Sequence, residues 1–174
     1  MKTKTRKMVE GALIAALYIV VNYIQEIILP STSSMPIQVR LAEILCILCV
    51  FSSSAIYGVT LGCMIANIIN IGVLPLDIVF GTIATLISAI FAYKLRNIRL
   101  FSLPILSSLM PVIINGIIIS LEFQLFYLPE GFHFSSFFLF FGEIAVGEFI
   151  SCVILGLPFY KLIERLNIFK KNLS

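Results

Sequence analysis

Charge is scarce in this chain of 174 residues: Asp, Glu, Lys and Arg supply 12% of it, against about a quarter in soluble domains. With 60% of positions hydrophobic and a mean hydropathy of +1.08, the sequence excludes an ordinary globular protein and reads as an integral membrane protein. Histidine is represented by His133 alone, which excludes HExxH and other paired-His sites. Walker A and GxSxG sequences are also missing. No metal or cofactor is expected. No long Gly-, Ser-, Pro- or charge-rich stretch marks a linker, so residues 1–174 are expected to form one domain in the cell membrane. The net charge of +3 comes without a basic surface or a nucleic-acid module, and nucleic acid is not an expected partner.

Cysteine is limited to Cys46, Cys49, Cys63 and Cys152, all inside apolar runs. Cys46 and Cys49 form a CxxC pair, yet no second pair, neighbouring His or βαβ pattern accompanies it. The four are read as buried thiols without a redox or metal role. The basic start followed by an apolar run resembles a signal peptide, but residues 8–29 exceed a typical h-region and no small-residue cleavage site follows. An uncleaved first span is the expectation.

What the chain does have is apolar length. A helix needs about 20 apolar residues to cross a bilayer, and turn signals separate six candidate segments: residues 8–29, 39–51, 55–71, 76–95, 103–123 and 135–163. Pro30 to Pro36, Ser52 to Ser54, Gly72 with Pro75, and Pro129 with Gly131 provide the breaks. Pro111 lies inside the fifth segment and is expected to kink it or to be satisfied by neighbours.

The few charges are sorted by sign. Eleven of the twelve basic residues fall into three clusters: Lys2, Lys4, Arg6 and Lys7; Lys94, Arg96 and Arg99; Lys161, Arg165, Lys170 and Lys171. Lys and Arg stay on the cytoplasmic side, so the clusters predict an all-α protein with six transmembrane helices, both termini inside. Glu26, Glu43, Asp77, Glu122, Glu130, Glu143 and Glu148 lie outside the clusters.

An ionisable group in the bilayer costs about 2.5–3.5 kcal/mol on insertion scales and is a functional candidate by default. The inferred topology puts Asn22, Glu26, Asn67, Asn70, Asn115 and Glu122 in the outer halves of outward-running spans. Arg40, Glu43, Asp77 and Glu143 fall near the outer starts of inward-running ones. Glu148 lies deeper, roughly 20 Å along its helix at about 1.5 Å per residue, where it can floor a pocket. The inner halves are almost pure hydrocarbon, so the pattern implies a cup open outward and no continuous channel. Arg40 and Glu43, three apart, are expected to share a helical face, either as an internal salt bridge or as ligand contacts.

Excess carboxylates and amides favour a ligand rich in N–H donors or carrying positive charge. Tyr23, Phe80, Phe123, Phe126 and Tyr127 near the outer ends offer faces for a flat ring, although aromatics are ordinary at membrane interfaces. On the first span, Gly11 with Ala15 and Ala12 with Ala16 form overlapping small-xxx-small pairs that admit a partner helix.

The pattern resembles the substrate-binding S components of energy-coupling factor transporters, which carry an N-terminal AxxxA motif, here Ala12-Leu13-Ile14-Ala15-Ala16. More closely it resembles the QueT family of queuosine-precursor transporters. That likeness rests on Ile37-Gln38-Val39-Arg40-Leu41-Ala42-Glu43, on Gly58-Val59-Thr60-Leu61-Gly62-Cys63-Met64-Ile65-Ala66-Asn67, on Leu76-Asp77-Ile78-Val79-Phe80-Gly81-Thr82-Ile83-Ala84-Thr85-Leu86, and on Gly147-Glu148 with Leu155-Gly156-Leu157-Pro158. It implies capture of 7-aminomethyl-7-deazaguanine or queuine from outside. It also implies docking onto a membrane-embedded T component and two cytoplasmic ATPases.

Glu148 or Glu143 is expected to meet the guanine edge and Asp77 or Glu122 the amine, with Asn67, Asn70 and Asn115 as amide contacts. The alternatives are an S component for another vitamin or nucleobase, a small membrane enzyme using Glu143 and Glu148, or a structural subunit. Glu143 and Glu148 stand about 140° apart on a helix, which disfavours action on one substrate atom.

Overall fold

The computed structural model describes residues 3–29, 39–70, 75–128 and 132–169. Among them the secondary structure is helical, with one isolated bridge between Leu100 and Leu103. The protein is an all-α membrane protein. Its elements are α1 (Thr3–Ile28), a 3₁₀ segment (Leu41–Val50), α2 (Ser54–Ile69), α3 (Asp77–Lys94), α4 (Ile105–Glu122) running into a π turn (Phe123–Tyr127), and a last rod. That rod joins α5 (Phe134–Phe149), a π segment (Ile150–Leu155) and α6 (Gly156–Leu166).

These six rods coincide with the six segments expected from the apolar runs. Four are long and apolar enough to span a bilayer: Lys4–Ile28, Asp77–Lys94, Ile105–Tyr127 and Phe134–Leu166. Leu41–Val50 and Ser54–Ile69 are apolar but shorter. The breaks at Pro30, Pro36, Gly72, Pro129 and Gly131, the acid Glu130 and the basic residues Lys2, Lys170 and Lys171 lie outside the described residues. Helix α4 continues through Pro111, which is buried.

The second rod is the centre of the molecule. Eight of its ten residues are buried, and it packs against α1, α2, α3, α4, α6 and the second π segment. A 3₁₀ helix rises about 2.0 Å per residue against about 1.5 Å for an α-helix, so ten residues reach about 20 Å. Its repeat of three stacks Glu43, Cys46 and Cys49 along one edge. Around this core α1, α2, α3, α4 and α5 form an arc of sequential neighbours.

Helix α1 shows why the arc closes. Ile14, Ala15, Tyr18, Asn22 and Gln25 recur at helical spacing and are buried. Leu13, Leu17, Val20, Ile24 and Ile27 face outward, where lipid covers them. Lipid is as apolar as leucine, so helices associate through close packing, and α1 meets α2 through glycine. A Cβ on Gly58 would stand 2.8 Å from the Gly11 carbonyl oxygen, and one on Gly62 would stand 2.6 Å from Tyr18 Cβ.

At the end carrying the basic clusters, Phe51 stacks on Tyr160 (4.9 Å) and on Phe169 (5.5 Å). The Arg99 guanidinium lies 5.1 Å from the Tyr160 ring centre, and Tyr160 Oη donates to Glu164 at 2.6 Å. The α3–α4 turn passes through Phe101 (φ 50°) and Ser102 (φ 63°), both left-handed.

Candidate functional site

The extended entry to the 3₁₀ segment is set by Gln25 of α1. Its Oε1 accepts from Leu41 N at 2.7 Å and its Nε2 donates to the Val39 carbonyl. Arg40 therefore sits before the helix, with φ −104° and ψ 94°. Its side chain pairs with Asp77, the first residue of α3, at 2.6 Å, both side chains buried.

This corrects the expected Arg40–Glu43 pair. The i, i+3 rule holds within a helix, and Arg40 lies outside one. Glu43 is enclosed by other donors: Tyr18 Oη at 2.7 Å, Thr85 Oγ1 at 3.0 Å and Cys46 Sγ at 2.8 Å. The carboxylate is thus satisfied by α1, α3 and its own segment.

Gly81, one turn beyond Asp77, makes room for the ion pair and its neighbour. A Cβ there would lie 3.1 Å from Asn67 Nδ2, 3.2 Å from Asp77 Oδ1 and 3.4 Å from Arg40 Nη1. Asn67 Nδ2 donates to the Asp77 carbonyl at 3.2 Å, tying α2 to the start of α3. Asn115 Nδ2 donates to Glu148 Oε1 at 2.8 Å, and Cys152 Sγ donates toward Glu148 Oε2 and the Glu43 carbonyl, both at 3.5 Å. The second, fifth and sixth rods thus converge on the same interior.

Several buried atoms here lack a partner among the described residues: Asp77 Oδ1, Asn115 Oδ1 and both carboxylate oxygens of Glu122. Glu122 is 1% exposed, and the charges acting on it are those of Asp77 and Arg40. Gln124, absent from the sequence expectations, is fully buried. Its Oε1 accepts from His133 N at 2.9 Å, and its Nε2 has no partner among the described residues.

The other expected residues divide. Phe80, beside Gly81 on α3, contacts Phe126 of the π turn at 5.5 Å. Phe123 packs on Tyr127 and Phe140. Glu143 is partly buried with Oε2 unpartnered, and no hydrogen bond joins it to Arg40, Asp77 or Glu148. Asn70 ends α2 and lines a cavity of about 470 Å³ with Asn22, Tyr23, Glu26 and Ile69. His133 is exposed before α5. Among the small residues of α1, Gly11 and Ala15 are buried against α2, whereas Ala12 and Ala16 remain exposed.

Sequence reading missed Tyr18, Gln25, Thr85 and Gln124. A signal existed for two of them: Tyr18, Asn22 and Gln25 recur at helical spacing as polar groups within an apolar span. All four cysteines are free and buried, and no group of three His, Cys, Asp or Glu among the described residues could hold a metal ion.

Fold and site together define a helical integral membrane protein with an acceptor-rich polar interior. The profile of the QueT transporter family matches residues 8–165, and the chain belongs to that family. The queuosine precursor transporter QueT of Lactococcus lactis subsp. cremoris is 35% identical over 86 residues, covering 49% of this chain and 48% of that protein. The match thus spans about half the length of that curated relative. No solved structure matches the chain.

Proposed function

We propose that this protein is the substrate-binding S component of an energy-coupling factor transporter in the cell membrane. It captures a queuosine precursor, 7-aminomethyl-7-deazaguanine or queuine, from outside. Six spans with both termini inside put the polar interior nearer the outer face. The chain has no nucleotide-binding loop, so uptake takes its energy from two cytoplasmic ATPases through a membrane-embedded T component. The exposed Ala12 and Ala16 face is the docking candidate on α1.

The observation carrying this reading is the set of unpartnered buried acceptors, Asp77 Oδ1, Asn115 Oδ1 and the Glu122 carboxylate. Each costs about 1–3 kcal/mol when left without a donor, and a bound ligand with clustered N–H groups relieves that cost. The guanine-like edge of a 7-deazaguanine offers adjacent donors to Glu148 or Glu143. Its amine suits Asp77 or Glu122, while Asn67 and Asn115 contact the ring and Phe80 offers a face.

The test is direct binding of 7-aminomethyl-7-deazaguanine to the purified chain in detergent without ATP, with queuine and guanine as comparators. Saturable binding that ranks the three is the expected result. No binding of any of them removes the queuosine assignment and sends the search to other vitamins.

A further inference from the structure

We infer that Glu122 is the specificity-determining residue that selects ligands carrying a positive charge, holding an ammonium group between its carboxylate and Asp77 Oδ1. The inference rests on the queuosine-precursor reading and adds to it which group reads the charge and what the site rejects.

The buried acids are not equivalent. Glu43 is occupied by three donors, and Glu148 holds the Asn115 amide and the Cys152 thiol. Asp77 spends Oδ2 on Arg40 and keeps Oδ1 unpartnered. Glu122 has both oxygens unpartnered at 1% exposure.

The charge balance points the same way. The groups acting on Glu122 are Asp77 and Arg40, and Arg40 is already neutralised by Asp77 at 2.6 Å. An ionised Glu122 is thus left without a countercharge, in an interior where a lone carboxylate is costly. A neutral base relieves the missing hydrogen bonds and leaves that charge. A protonated amine supplies the donors and the countercharge together.

The local backbone holds Glu122 in place. It ends α4 where the helix widens into the π turn Phe123–Tyr127, a device common at functional sites. Phe126 of that turn packs on Phe80 of α3. Phe123 packs on Phe140 of α5. The junction is thus fixed on both sides, and the Phe80 it packs on lies three residues beyond Asp77 on α3.

The experiment measures binding of 7-aminomethyl-7-deazaguanine and its neutral 7-cyano analogue, which share a ring and differ in side-chain charge, to the parent chain and to Glu122→Gln. The parent is expected to favour the amine by about tenfold or more, the ratio that one charge-assisted hydrogen bond supports. In Glu122→Gln the preference is expected to fall within about threefold, through loss of amine affinity with the nitrile held.

Equal binding of both ligands by the parent overturns charge selection while leaving the queuosine reading intact. No binding of either overturns both. An equal drop for both ligands in Glu122→Gln assigns the residue a structural role and overturns the inference. The parent comparison decides charge selection; should Glu122→Gln fail to fold, Glu122→Ala is read in its place, and an amine preference kept above about threefold in either variant overturns the assignment to Glu122.

Discussion

Arg40 and Asp77 meet at 2.6 Å across 37 positions of sequence, both buried where the 3₁₀ segment and α3 begin. The pair connects two rods and leaves Asp77 Oδ1 unpartnered beside Gly81. Removing one partner strands a buried charge at a cost of about 3–5 kcal/mol, whereas replacing both with apolar residues is often nearly neutral. Arg40→Met and Asp77→Leu singly are expected to lower the melting midpoint in detergent more than the double variant does. Additive losses in the double variant would show that the two charges do not stabilise one another.

The α1–α2 seam makes a second prediction. A methyl at Gly62 would overlap Tyr18 Cβ at 2.6 Å, and neither backbone can retreat from the other cheaply. Overpacking of this kind costs about 1–3 kcal/mol. Gly62→Ala is therefore expected to lower the melting midpoint. Gly142→Ala, where nothing lies within 4 Å, serves as the control and is expected to hold or raise it through helix propensity.

The α3–α4 turn makes a third. Phe101 and Ser102 both carry positive φ, which costs an L residue roughly 1–2 kcal/mol. Asn-Gly is preferred in two-residue turns with this backbone. Replacing Phe101-Ser102 with Asn-Gly is expected to raise the melting midpoint and leave ligand affinity unchanged, because Phe101 is 89% exposed and far from the polar interior along both helices. A drop in the midpoint would assign Phe101 a packing role that its exposure does not show.

The six rods were legible because Pro, Ser and Gly interrupt the apolar runs, and a bilayer demands a minimum helix length. The character of the second rod was not. Nothing in Leu41–Val50 distinguishes a 3₁₀ from an α-helix by hydrophobicity, since nearly every face is buried. That ambiguity explains the Arg40 error: a helical register projected back over Arg40 brings it to Glu43, while the Gln25 clamp holds Val39 and Arg40 extended. Long-range partners such as Tyr18 and Thr85 for Glu43 require the tertiary arrangement of three rods.

The small residues of α1 show the same limit. Their spacing revealed that a helix could approach closely, and α2 occupies the Gly11 and Ala15 side. Which surface remains for a partner depended on rotation about the helix axis. The Gly58–Gly62 spacing on α2 gives the complementary half of that seam and was equally visible in the sequence.

Gly81 offers the sharpest separation of binding from stability. A methyl there would sit 3.1 Å from Asn67 Nδ2 and 3.2 Å from Asp77 Oδ1, close enough that one of them must give by a few tenths of an ångström, while Arg40 Nη1 at 3.4 Å is at the edge of ordinary contact. Asp77 and Arg40 are held to one another, and Asn67 is held to the Asp77 carbonyl, so the shift falls on the unpartnered Asp77 Oδ1. In α3 the exchange also gains about 0.8–1.0 kcal/mol of helix propensity, which offsets the crowding. Gly81→Ala is expected to change the melting midpoint little and to weaken 7-aminomethyl-7-deazaguanine binding about tenfold, as for loss of one well-placed hydrogen bond. Undiminished affinity in a folded Gly81→Ala chain would place the ligand away from the Arg40–Asp77–Asn67 group and confine it to the Glu148 side.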